Sequence, residues 1–226
     1  MLPREEIATA QIPGGDTLTL VSHGRDFIIM LGRDELMGTR MQFSEEQLAQ
    51  LTLERLDVPG PRLLIGGYGM GFTYRAALEH LPEGGSVIVA EVVPGILEWA
   101  KGPLADLTGE SLSDPRGEVV LADVAALIDD AVDGTTPLFD AILLDVDNGP
   151  DGIVREGNER LYTRTGIARM RDALKPGGII AIWSAAPDHK FTGRLRDAQL
   201  DVEVRTVRAR PNNKGPHHTI WFARRR

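Results

Sequence analysis

Apolar runs alternate with amphipathic segments along most of the chain. Five runs are almost continuously apolar, as expected for parallel strands covered on both faces: RLLIGG, SVIVAEV, EVVLAD, FDAILLDVD and GIIAIWSA. Segments with the helical spacing of apolar residues lie between them: TYRAALEHL, PGILEWAKGPL, VAALIDDAV and RTGIARMRDAL. A last helix is predicted over residues 188–199, followed by VEVRTVRA and HHTIWFARR as an antiparallel pair. The pattern predicts an α/β fold with a Rossmann-like, mostly parallel sheet.

The N-terminal part has a different pattern. DTLTLVS and RDFIIML alternate apolar and polar residues, which predicts two strands joined by a turn at His23 and Gly24. RDELMGTRM is compatible with a further short strand or with a loop, and Ser44 is predicted to cap a helix over SEEQLAQLTLERL. The turn-forming segment DVPGP then divides the chain into an N-terminal β-hairpin and helix region, residues 1–58, and a Rossmann-like domain, residues 59–226.

Composition excludes several classes of protein. A net charge of −8 argues against a general nucleic-acid binder, which needs a basic surface. Cysteine is absent, so a disulfide framework or a thiolate zinc site is excluded. No apolar run approaches the length of a bilayer, and MLPREEIATA lacks the apolar core of a signal peptide. We therefore expect a cytoplasmic protein with no membrane partner.

A glycine-rich loop, IGGYGMGFT, follows the first of the apolar runs and precedes a helix. Gly67, Gly69 and Gly71 let the backbone turn tightly and come close to a nucleotide. The same glycines would also serve a tight turn with close packing of strand and helix. The loop alone is therefore compatible with either function.

Acidic residues at the ends of the next three strands favour the nucleotide. Glu91 ends the second strand, about 20 residues after the loop, where this fold places the acid that binds a ribose diol. Asp123 and Asp145 end the third and fourth strands. NAD would require a similar loop and first acid, but the loop lacks the glycine spacing of the dinucleotide fingerprint. The closing antiparallel pair also favours S-adenosylmethionine over NAD.

From Arg62 to Ala185 the sequence resembles spermidine synthase and its relatives, the polyamine aminopropyltransferases, which have the class I methyltransferase fold. IGGYGMG, VIVAEV, VVLAD, FDAILLDVDNGPD and ALKPGGIIAIW follow one another in the family's order. The N-terminal hairpin region is similar to that family's small β-domain. The resemblance implies a homo-oligomer, a dimer or tetramer, and binding of S-adenosylmethionine or its decarboxylated form without a metal.

The resemblance also implies roles for individual residues. Asp145 would be the catalytic acid, which accepts hydrogen bonds from an attacking amine and helps to deprotonate it. Glu91 would bind the ribose, Asp123 would accept from the adenine amino group, and Val124 would lie beside the ring. The cofactor loop would comprise Gly67, Tyr68, Gly69 and Gly71.

Three departures from the family pattern affect the proposed reaction. The family's GGGDGG carries an aspartate that faces the aminopropyl amine, and Tyr68 takes that position here. The family's DSSDP becomes DVDNGP, and LMGTRMQF lacks the usual Tyr-His pair. Loss of the loop carboxylate removes a repulsion against the carboxylate of intact S-adenosylmethionine. We therefore favour a methyltransferase acting on an amine or another small molecule, with aminopropyl transfer as the alternative and a non-catalytic nucleotide-binding protein as the second.

The candidates for the acceptor pocket follow the fourth strand. Asp147, Asn148 and Asp151 are candidate substrate-binding residues, although a polar surface loop explains them equally well. Tyr162 is a fourth candidate, with packing at a helix start as its alternative. His217 and His218 are adjacent in a predicted strand, so their side chains point to opposite faces and do not indicate a metal site.

Overall fold

The structure, a computed structural model, describes residues 4–146, 149–150 and 157–226. A four-stranded antiparallel sheet comes first, with its strands in chain order: β1 Glu5–Gln11, β2 Thr17–His23, β3 Asp26–Leu31 and β4 Asp34–Gly38. The predicted hairpin is therefore present, and RDELMGTRM contributes a strand. β1 was not predicted, because its sequence EEIATAQ has no clear alternation and the strand is mostly exposed at the edge of the sheet.

The larger sheet has seven strands in the order β10-β11-β9-β8-β5-β6-β7. β11 runs antiparallel to both of its neighbours, whereas the contacts among β5 to β9 are parallel. This arrangement confirms the predicted Rossmann-like sheet with its closing antiparallel pair. The strands are β5 Arg62–Gly66, β6 Ser86–Glu91, β7 Gly117–Leu121, β8 Phe139–Leu144, β9 Leu174–Ser184, β10 Leu200–Arg210 and β11 Lys214–Arg225.

Helices cover both faces of the larger sheet. They are α1 Phe43–Leu53, α2 Phe72–His80, α3 Pro94–Lys101, α4 Ala105–Thr108, α5 Val124–Val132, α6 Glu159–Tyr162, α7 Arg164–Asp172 and α8 His189–Asp197, with a 3₁₀ turn at Gly109–Ser113. Within the part of the chain that the structure describes, none of them has the length and apolar character of a membrane span.

The central strands are buried on both faces, which explains their continuous apolar runs. Leu63 and Ile65 of β5 pack into one core cluster with α1, α2, α3 and the smaller sheet. Leu64 between them packs into the other cluster, with residues of α5, α7 and α8. Because successive side chains of a central strand enter opposite cores, a polar residue at any of these positions would be buried.

Ser44 does not cap α1, so that prediction was wrong. The helix begins one residue earlier, at Phe43, and Ser44 is buried inside its first turn. The Ser44 hydroxyl accepts a hydrogen bond from Trp183 Nε1 at 3.0 Å and forms a second hydrogen bond with His218 Nδ1 at 2.7 Å. Helix α1 packs against α2, β9 and β10, and this packing gives the hydroxyl tertiary partners in place of a cap.

Candidate active site

A cavity lies at the carboxyl ends of the central strands. β5 has β6 on one side and β8 on the other, and the chain crosses from β7 back to β8, so a crevice opens where the strand order reverses. The strand ends form its floor, and apolar side chains of the smaller sheet and its first turn cover it. The covering residues are Ile12, Leu18, Ile29, Leu36 and Met37.

The glycine loop forms part of this floor through Gly67 and Gly69. Both have positive φ, +88° and +53°. A Cβ on Gly67 would stand 2.4 Å from the carbonyl oxygen of Asp145, and one on Gly69 would stand 2.7 Å from Met37 Sδ. The loop therefore needs glycine at both positions, because its backbone lies directly against the end of β8 and the covering sheet.

Tyr68 and Gly71 hold the loop rather than line the cavity. The Tyr68 side chain is buried, and its ring lies 5.9 Å from that of Tyr74. Gly71 is the N-cap of α2 with φ +75°, and a Cβ there would meet the Tyr68 hydroxyl at 2.9 Å. A side chain turned inward beneath its own loop cannot be recognised from the residue pattern IGGYGMG.

Glu91 is buried at the end of β6 and lines the cavity. Its Oε2 accepts a hydrogen bond from Tyr68 N at 3.0 Å, and Oε1 accepts from Val92 N at 2.7 Å and Val93 N at 2.8 Å. The carboxylate therefore ties the glycine loop to the segment that enters α3. These three donors leave lone-pair capacity on Oε2 for a ligand hydroxyl.

Asp123 also lines the cavity, and both of its carboxylate oxygens have protein partners. Oδ1 accepts from Ala125 N at 3.0 Å and caps α5, while Oδ2 lies 2.7 Å from Arg160 NH2. Val124, the next residue, is buried and contributes an apolar wall. Asp123 is thus held in place from two directions at the rim of the cavity.

Asp145 follows β8 and faces the cavity. Its Oδ2 accepts a hydrogen bond from Thr73 Oγ1 at 2.8 Å, and the same hydroxyl lies 3.2 Å from the carbonyl oxygen of Glu45. Burial raises the pKa of Asp145 to about 6, although the hydrogen bond from Thr73 acts in the opposite direction. A carboxylate with a pKa close to neutral is suited to accept a proton and release it again.

Glu45 lines the same cavity and was not singled out from the sequence. It lies in the first turn of α1, is 7% exposed, and its Oε2 has no hydrogen-bond partner among the described residues. Burial raises the pKa of Glu45 well above its usual range, and the nearby charges of Asp145 and Glu46 raise it further. In the sequence SEEQ, nothing distinguishes Glu45 from the partly exposed Glu46. Asn158 and Trp183 also line the cavity without having been predicted as site residues.

The remaining predicted residues do not contribute a described wall. Tyr162 is buried outside the cavity lining, with its ring 5.8 Å from that of Phe191, which agrees with its packing alternative. Asp147, Asn148 and Asp151 lie outside the described residues. Among the residues that are described, no group of three His, Cys, Asp or Glu side chains is placed to hold a metal.

The cavity is acidic and otherwise mainly apolar. Its lining includes four carboxyl groups, and none of the described lining residues is Lys, Arg or His. Only Asp123 has a described ion-pair partner, Arg160 at the rim. A cationic ligand would therefore find complementary charge, whereas an anionic group would be repelled.

Comparison with known proteins finds relatives among the polyamine aminopropyltransferases. No family model matches the chain. A polyamine aminopropyltransferase of Korarchaeum cryptofilum is 28% identical over 139 residues, 62% of this chain and 40% of the relative. Polyamine aminopropyltransferase 2 of Pseudomonas aeruginosa is 30% identical over 166 residues, 71% of this chain and 44% of the relative.

The crystal structure of spermidine synthase from Thermotoga maritima superposes with a TM-score of 0.74 at 20% identity. The chain is spermidine synthase-like. The superposition covers 98% of this chain and 73% of the Thermotoga maritima chain, so it includes both sheets. The chain spans less than half the length of the two curated relatives described above. The family resemblance inferred from the strand-end motifs is confirmed.

Proposed function

We propose that this protein transfers an aminopropyl group from decarboxylated S-adenosylmethionine to an amine. Its curated relatives are named polyamine aminopropyltransferases, and the structure it superposes on is a spermidine synthase. These names support the alternative of the sequence-based prediction better than its first choice, methyl transfer. The proposal therefore revises that order.

The charge of the cavity is the observation that carries the proposal. Decarboxylated S-adenosylmethionine has a sulfonium and an ammonium group, whereas the intact molecule also has a carboxylate. None of the described lining residues offers a cation to that carboxylate, and Asp145 and Glu91 would repel it. An unpaired charge that leaves water is strongly unfavourable. The absence of an acid at Tyr68, which favoured methyl transfer, is thus outweighed by carboxyl groups from other elements.

Asp145 is placed to manage the proton of the reaction. An ammonium has no lone pair, so the acceptor must lose a proton before its nitrogen attacks the methylene carbon beside the sulfonium. The new N–C bond forms as the C–S bond breaks, and the electron pair of the broken bond stays on sulfur as a neutral thioether. The proton passes to Asp145, whose pKa of about 6 lies nearer to that of an amine than an ordinary aspartate's does, and then to solvent.

Roles for the remaining site residues follow from their positions. Gly67 and Gly69 would let the nucleoside approach the loop backbone, and Glu91 would accept from the ribose through its remaining capacity. Val124 would pack beside the adenine, with Asp123 at the rim near the amino group. A homo-oligomer and a cytoplasmic location stay predictions.

Calorimetric titration tests which nucleoside the cavity prefers. We expect methylthioadenosine and decarboxylated S-adenosylmethionine to bind, and intact S-adenosylmethionine to bind more weakly than its decarboxylated form. Tighter binding of the intact molecule would return methyl transfer to first place. Binding of NAD alone would remove the protein from the transferases.

A further inference from the structure

Glu45 is a buried acid for which the reaction described above has no use. Its side chain reaches the cavity from α1, outside the glycine loop and the strand ends that supply the other acids. It is 93% buried, since its exposed fraction is 7%, and Oε2 has no hydrogen-bond partner among the described residues. A buried polar atom left without a partner costs about 1–3 kcal/mol, so a ligand in the cavity that donates to Oε2 would gain that interaction.

The surroundings of Glu45 define the charge of that partner. Thr73 holds Glu45 and Asp145 on the same side of the cavity, because its hydroxyl lies 3.2 Å from the backbone carbonyl of Glu45 and 2.8 Å from the Asp145 carboxylate. Glu46, on the same helix turn, adds further negative charge. On the β11 side His218 forms a hydrogen bond with the Ser44 hydroxyl, and Glu45 is in none of the ion pairs among the described residues. The negative charge around Glu45 therefore favours a cationic donor as its ligand.

We propose that Glu45 is a binding residue for a primary ammonium group. The inference rests on the proposed function, which supplies two such groups: the end of the aminopropyl chain and the acceptor amine. The glycine loop brings no carboxylate to the cavity, because Tyr68 is turned inward and Gly69 faces Met37. Glu45 thus gives this chain, from a different element, a second cation-binding acid besides Asp145.

Binding of the ammonium would change the protonation of Glu45. Burial and the charge of Asp145 raise the pKa of Glu45 well above its usual range, which favours the protonated acid in the absence of a cation. An entering ammonium brings the opposite charge within hydrogen-bond distance and favours the carboxylate. Binding would thus favour release of the Glu45 proton to solvent, while the ammonium keeps all of its own. Ligand binding and proton release are therefore coupled.

The matched pair Glu45→Gln and Glu46→Gln tests the proposal. Both make the same change on the same turn of α1, but only Glu45 lines the cavity. Wild type and variants are titrated calorimetrically with methylthioadenosine, decarboxylated S-adenosylmethionine and the diamine putrescine, each in two buffers of different ionisation enthalpy. The difference in heat between the buffers counts the protons released. Thermal unfolding of each variant confirms that it is folded.

We expect Glu45→Gln to weaken one of the two ammonium ligands about 10-fold or more, as for a lost charge-assisted hydrogen bond, and to abolish the proton release. Methylthioadenosine, which has no ammonium, should bind Glu45→Gln normally, and Glu46→Gln should keep the wild-type affinity for all three ligands. Loss of decarboxylated S-adenosylmethionine assigns Glu45 to the aminopropyl chain, and loss of putrescine assigns it to the acceptor.

Two results separate failure of this inference from failure of the proposed function. Wild-type protein that binds both ammonium ligands, with Glu45→Gln binding them equally well, would overturn the role of Glu45 alone. Wild-type protein that binds neither nucleoside would overturn the proposed function, and the putrescine titration would then decide about Glu45. Absence of putrescine binding as well would overturn both.

Discussion

Gly67→Ala is expected to damage the fold and the site together. The new Cβ would stand 2.4 Å from the carbonyl oxygen of Asp145 and 3.1 Å from its carbonyl carbon, a backbone group that cannot rotate away. The residue would also have to keep φ near +88°. Relief of the overlap requires the loop and the end of β8 to separate, which moves Asp145 relative to the cavity.

The two contributions can be separated by a control that the chain itself supplies. Gly134 has a similar φ of +80°, but a Cβ there meets nothing within 4 Å. Gly134→Ala should therefore show the conformational term alone, about 1–2 kcal/mol of unfolding free energy. Gly67→Ala should add about 1–3 kcal/mol for the overlap, the range found for overpacked sites. The total loss is then about 2–5 kcal/mol.

Urea unfolding of wild type and both variants measures these free energies, and calorimetric titration measures the affinity of the cavity for methylthioadenosine. We expect Gly134→Ala to bind the nucleoside normally and Gly67→Ala to bind it much more weakly at a temperature where it is still folded. Equal destabilisation by the two substitutions, with binding retained in both, would refute the close approach of the glycine loop to β8.

Three further substitutions test single groups. Asp145→Asn should retain nucleoside affinity while turnover falls about 100-fold or more, the scale of a positioned base; unchanged turnover would reduce Asp145 to a structural role. Glu91→Ala should weaken nucleoside binding by about 2 kcal/mol, which calorimetry measures. It should also lower the free energy of unfolding in urea, since three backbone N–H groups lose their acceptor. Glu45→Gln should have the same melting temperature as wild type near pH 4 and a higher one as pH rises. The pKa of Glu45 is raised in the folded protein, so the unfolded chain, whose glutamate has a pKa of about 4.3, loses this proton first and wild-type stability falls with rising pH. Identical melting curves across that range would contradict the burial of an ionisable Glu45.

Features that depend on neighbours in the chain were predictable. The apolar runs identify the strands because each central strand is buried on both faces, as the division of Leu63 and Leu64 between two cores illustrates. The position of an acid at a strand end is equally local. Since the carboxyl ends of parallel strands share one edge, Glu91, Asp123 and Asp145 had to approach one another.

Features that depend on tertiary packing were not predictable. Ser44 has the sequence context of a helix cap, yet its hydroxyl forms hydrogen bonds with Trp183 and His218, which lie on strands distant in sequence. Tyr68 lies among loop glycines that face the cavity, but its ring turns towards Tyr74. Glu45 reaches the site only because α1 packs beside α2 and the sheet. No spacing rule along the chain encodes these contacts.

Aminopropyl transfer is tested most directly by mass spectrometry of an amine library incubated with the purified protein and either decarboxylated or intact S-adenosylmethionine. The mass added to the acceptor distinguishes an aminopropyl group from a methyl group, whichever amine in the library accepts it. The account predicts an aminopropylated amine and methylthioadenosine, formed only with the decarboxylated molecule and strongly reduced in Asp145→Asn. A methylated product formed with intact S-adenosylmethionine would contradict it.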